Sequence, residues 1–362
     1  MIDQFKFRAT STRLLIVVVS AATAVSVGCT RGDMELPPSN ETIVDSPHGK
    51  VHLEYDGSIG AEDVEGYYFS FIRGIEIDQQ DNVVVYDGGL GNIRVYSPTG
   101  TLIRAHELPE GPGPGEFISG ASGFSLSEDK RRILIYDENA LRVTVLDYTS
   151  FDYINSFRLD ETFYAKIDAG PDNTVMAVYT QLTLERMPLI HRFTEQGTKL
   201  AAFSGRHSRF VEFMDRELQA AYQVSFAQSD SLMFVSFSLP YDIRVYNRRY
   251  ELVNRFHRRP EFFGRTVREG RWLFPSGYCT NIVVADNELV LQVVVNKRED
   301  EKWVHAFDFA GRDRGVQNMS GGEWGDSWYL DSDAVDSRGN VYGAAFRPFP
   351  RVIRFRVVSG ER

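Results

Sequence analysis

The chain has 362 residues, 43% apolar and 25% charged, a globular composition that excludes a disordered protein. A net charge of −10 argues against a general nucleic-acid binder, which needs a basic footprint. Seven His and two Cys leave little material for a Cys/His metal cluster.

Residues 1–28 read as an export signal. Lys6, Arg8 and Arg13 make a positive start, and Leu14 to Val27 is a run of apolar and small residues. As a helix that run covers about 21 Å, short of the roughly 30 Å of a bilayer core. Gly28 and Cys29 follow. The arrangement resembles the lipobox of bacterial lipoproteins, in which a small residue precedes a Cys that becomes the acylated N-terminus. Ser26 departs from the aliphatic residue usual there. The resemblance implies lipidation at Cys29. With Thr30 rather than Asp next, it also implies an outer-membrane address, facing periplasm or surface. Ordinary signal cleavage would instead leave Cys29 as a spare thiol. Residues 29–48 carry turn formers and read as a flexible tether. The second Cys, Cys279, sits in an apolar stretch and is expected to be a buried core thiol.

Residues 49–362 read as one repeat domain. A unit of four strands recurs, with turn signals near Asp78, Ser127, Ala169, Ser229, Asp286 and Asp336. The spacing of about 50 residues is that of propeller blades. The second strands (VVVYD, ILIYD, VMAVY, LMFVSF, LVLQVVV, VYGAAF) are continuous apolar runs, which predicts burial on both faces. The third strands (IRVY, VTVL, LIHRF, IRVY, VHAF, VIRF) alternate, which predicts one partly wet face. A Greek-key sandwich does not explain six copies of one unit. The fold class is therefore all-β: a six-bladed β-propeller of four-stranded antiparallel blades. The chain ends soon after the third strand of the last blade. Val51 to Tyr55 has the alternation to supply its missing outer strand, so the N-terminal strand is expected to close the ring.

Residues 71–145 carry Gly111-Pro112-Gly113-Pro114-Gly115-Glu116-Phe117, an Asp-x-x-x-Asn-Val turn with a Tyr-Asp strand end, and Ile93-Arg94-Val95-Tyr96 leading to Gly100. These stretches resemble the six-bladed propeller lipoproteins of bacteria, related to NHL-repeat propellers. The likeness weakens over the middle units and returns at Asp336 to Tyr342. It implies a fold more than a function.

Several motifs are candidate sites. The GPGPGEF stretch is a poor phosphate cradle, since Pro112 and Pro114 have no N–H, and it reads as an inter-blade turn. His106-Glu107 lacks the second His of a zincin, and no Gly-x-Ser-x-Gly elbow is present. Tyr86-Asp87 and Tyr136-Asp137 end second strands, either as local caps or as a rim for a sugar or peptide. Long links at 205–218 and 258–276 leave one face of the disc, with a helix expected over 208–221. They bring Arg206, His207, Arg209, Arg265, Arg271, Trp272 and Phe274 toward the channel mouth. Arg with aromatics is binding chemistry, although the same loops could simply plug the channel. Asp331 and Asp333 enter the innermost strand of the last blade. The likeness to lactonase-type propellers makes them a calcium candidate, but two carboxylates are too few ligands.

The functional expectation is an envelope-anchored binding or scaffolding module for a peptide, glycan or partner protein, with no nucleic acid and no obligatory cofactor. The alternative is a metal-dependent lactonase or lyase with an axial site.

Overall fold

The computed structural model of the protein describes residues 51–118, 122–159, 164–179, 189–204, 224–237, 241–257, 266–269, 272–275, 277–285, 288–296, 299, 301–320 and 328–360. The helix expected over 208–221 lies outside them.

The chain enters as β1 (Val51–Ile59) and then builds blades in sequence order. Blade one is β2 (Ile72–Ile77), β3 (Val83–Asp87), β4 (Asn92–Tyr96) and β5 (Leu102–Glu107). Blade two is β6 (Gly123–Leu126), β7 (Arg132–Asp137), β8 (Arg142–Asp147) and β9 (Tyr153–Arg158). Blade three is β10 (Tyr164–Gly170), β11 (Thr174–Tyr179), β12 (Ile190–Phe193) and β13 (Lys199–Phe203). Blade four is β14 (Val224–Gln228), β15 (Leu232–Phe237), β16 (Asp242–Asn247) and β17 (Leu252–His257). A two-stranded hairpin, β18 (Thr266–Glu269) and β19 (Trp272–Pro275), precedes blade five. That blade is β20 (Gly277–Ala285), β21 (Leu289–Asn296), β22 (Glu301–Asp308) and β23 (Asp313–Asn318). Blade six is β24 (Trp328–Val335), β25 (Val341–Ala345) and β26 (Arg351–Ser359), and β1 completes it.

Ring closure is as the sequence predicts. β1 runs antiparallel to β26, from Val51 opposite Ser359 to Ile59 opposite Val352, with a bulge between Tyr55 and Gly57. The last blade thus joins both ends of the domain, and both edges of β26 are paired, by β25 and by β1.

The second strands are dry along their length: β3 and β21 are buried at every position. Three of the third strands depart from the expected partly wet face, while β12, β22 and β26 keep half-buried positions. β4 is buried throughout, and β8 and β16 are buried except at their ends. Adjacent blades cover both faces of these strands, so the polar members of the alternation are buried and bonded rather than wet. Arg94 donates to the carbonyl of Tyr68 and lies over the Phe69 ring. Arg244 pairs with Asp242, also buried. The wet alternation belongs to the fourth strands, such as β5 and β23.

Turn chemistry fixes the blade geometry. Asp78 Oδ1 accepts the backbone N–H groups of Gln80 and Asn82, both at 2.8 Å, and Oδ2 accepts Asn82 Nδ2 at 2.9 Å. Asp336 and Asn340 repeat the arrangement in blade six. The GPGPGEF stretch forms the turn from blade one to blade two: Phe117 N–H donates to the Pro109 carbonyl and the ring is buried in the core between them. Gly115 takes φ +78°, a left-handed conformation that a side chain resists.

Candidate functional site

The antiparallel blades give the disc two unlike faces. The 1–2 and 3–4 turns lie on one. The 2–3 loops and the links between blades lie on the other, which carries the long insertions.

On the turn face the channel opens into a cavity of about 420 Å³, lined in part by Glu128, Lys130, Asp168, Gln228, Asp230 and Arg248. The innermost strands present backbone groups to the channel that no fifth strand covers, and burial requires partners for them. Side chains from neighbouring blades supply these. Glu76 of β2, 2% exposed, accepts the Leu126 N–H at 3.1 Å and pairs with Lys130 at 3.0 Å. Ser125 of β6 accepts the Ala169 N–H at 3.1 Å and donates to Asp168 at 3.0 Å, while Lys166 pairs with Asp168 at 3.1 Å. Gln228 donates to the Ala169 carbonyl at 3.1 Å, and Asp331 accepts the Ile75 N–H at 2.8 Å. Glu128 adds a tie at the rim, accepting from the Asp172 N–H at 2.6 Å and pairing with Arg248. This polar belt stitches blade to blade. From the sequence only Asp331 and Asp333 stand out as axial residues. Glu76 and Asp168 do not, because each is a lone carboxylate in its strand with no motif around it.

Asp331 is thus placed on the axis, capping a backbone N–H; the side chain of Asp333 is outside the described residues. Among the described residues no three His, Cys, Asp or Glu side chains are grouped to hold a metal ion.

On the long-loop face, Asp87 is fully buried. Its carboxylate accepts the N–H groups of Ser70 (2.7 Å), Phe71 (3.0 Å), Gly89 (2.9 Å) and Leu90 (3.1 Å). Asp137 likewise takes those of Ile118, Asn139 and Ala140. Tyr86 is buried and stacks on Phe124. Tyr136 is buried too, which pushes its hydroxyl up to about 12. These residues anchor the loops of this face from below and are not at its surface. Trp272 and Phe274 lie on β19. Arg206, His207, Arg209, Arg265 and Arg271, like Cys29, lie outside the described residues.

The surface of this face, at the seam of blades six and one, is aromatic. Phe71, 42% exposed, stacks on Phe346 with ring centroids 5.4 Å apart and planes at 24°. Phe346 stacks in turn on Tyr329 at 5.9 Å and 30°. The Arg73 guanidinium lies 4.6 Å from the Phe71 centroid. Tyr68, Leu90 and Ile118 are further exposed apolar side chains on loops of blades one and two. This group is not among the residues that the sequence points to. The available signal was the stretch from Ala344 to Val357, aromatic and Arg-rich without one acidic residue in an acidic chain.

Fold and sites together define a six-bladed β-propeller with a stitched axis and one aromatic face. No protein-family profile matches the sequence, and no curated protein matches it. Solved structures do match in fold. A Bacteroides fragilis NCTC 9343 protein named as exported aligns over 89% of this chain and 98% of its own, at 13% identity and TM-score 0.60. A DUF4221 family member from Bacteroides vulgatus ATCC 8482 aligns over 86% and 100%, at 10% and 0.62. The PQQ-bound aldose sugar dehydrogenase of Streptomyces coelicolor aligns over 86% and 100%, at 14% and 0.54. Identities this low establish the propeller fold and nothing finer.

Proposed function

We propose that this protein is a propeller of the bacterial cell envelope, held through an acylated Cys29 with an outer-membrane address, that binds a peptide, glycan or partner protein on its long-loop face and catalyses no reaction. The leader and Cys29 support the location, as do fold neighbours that include a Bacteroides protein named as exported. The observation that carries the binding role is the exposed Phe71 ring, backed by half-buried Phe346 and Tyr329 and flanked by exposed Arg73, on the long-loop face. An exposed aromatic ring beside an Arg is binding chemistry, and here it stands where loops meet the rigid strands of two blades.

The rival reading is a calcium-dependent lactonase or lyase on the axis. It requires Glu76, Asp168 and Asp331 to leave their ion pairs and backbone donors, and so to loosen the seams they hold. The test has two arms. Purified full-length protein in detergent is screened against arrayed envelope glycans and peptides, and melted in EDTA with and without restored calcium. Ligand capture with no calcium shift is the expected result. A large calcium-dependent rise in Tm with lactone turnover would replace this reading. Cell fractionation of Cys29→Ser checks the anchor, which predicts release from the membrane fraction.

A further inference from the structure

We draw no further inference here: the strongest candidate, the cavity of about 420 Å³ where the channel opens on the turn face, is walled by Lys130, Asp168 and Arg248, each already ion-paired within the fold, and nothing in the structure shows what fills it.

Discussion

Gln317 treats Leu53 as a neighbouring strand would. Its amide oxygen accepts the Leu53 N–H at 2.6 Å and its Nε2 donates to the Leu53 carbonyl at 3.0 Å. Leu53 lies on β1, the outer strand of blade six, and Gln317 on β23, the outer strand of blade five. One side chain thus pairs both backbone groups of a residue on the ring-closing strand. Gly315, two residues earlier, lets the strands approach: a Cβ there would meet the Val51 carbonyl oxygen at 2.8 Å. Gln317→Leu keeps the bulk and removes both bonds, leaving two polar groups short of partners. It should cost about 1–3 kcal/mol in urea unfolding. Gln317→Glu keeps only the acceptor, and its oxygens would face the Leu53 carbonyl, so it should be no better than Leu. Wild-type stability in both variants would show that closure rests on the β1–β26 ladder alone.

Glu76 and Lys130 form the most buried ion pair of the channel belt that also caps a backbone group in the next blade. Glu76→Ala removes the ion pair to Lys130 and the acceptor of the Leu126 N–H. The expected loss is on the order of 3 kcal/mol. Glu76→Gln can still accept the Leu126 N–H and should lose less. A double replacement with Lys130→Met should recover part of the loss. No recovery would mean that the backbone cap matters more than the charge pair.

These two relationships mark what the sequence could and could not reveal. Blade count, second-strand burial and ring closure were legible because each recurs as a pattern: apolar runs, a turn signal with Asp and Asn, and one strand missing at the C-terminus but present at the N-terminus. The third-strand error has a definite cause. Alternation in IRVY reports side-chain polarity, not wetness, and stacked blades bury Arg94 and Arg244 against carbonyls, carboxylates and rings. The belt was illegible because Glu76, Ser125, Asp168 and Gln228 are single polar residues in different blades, brought together only by closure. The aromatic seam joins Phe71 to Phe346, far apart in the chain, for the same reason. The Tyr-Asp strand ends were visible as a repeat, but the four backbone donors around Asp87 come from two loops that only the fold brings together.

Asp336 makes one turn acid-sensitive. Burial works to raise its pKa, but hydrogen bonds from the Asn340 side chain and backbone, from Arg338 and from Tyr342 outweigh it, so the folded value lies below 3.8. A depressed folded pKa contributes stability above the ordinary carboxylate range, and that contribution is lost as pH falls through the folded value. Asp336→Asn should therefore destabilise at neutral pH by about 1–3 kcal/mol through its mispaired donors. The gap to wild type should narrow below pH 3.8. A gap constant from pH 7 to pH 3 would show that the carboxylate charge contributes nothing.

Cys279 offers a count of thiols that also reads the anchor. It is 1% exposed, and burial, with Asp242 nearby, pushes its thiol well above 9.0. Only the thiolate attacks a disulfide reagent, so the native protein should not react at this position over the time in which an exposed Cys is consumed. Denaturation should release one thiol per chain if Cys29 is acylated, since the sequence holds two Cys. Two thiols would mean an unmodified Cys29 and remove the lipid anchor. Rapid native labelling of a Cys29→Ser chain would mean that the blade-five core opens far more often than packing of Cys279 among Ile282, Val294 and Phe307 permits.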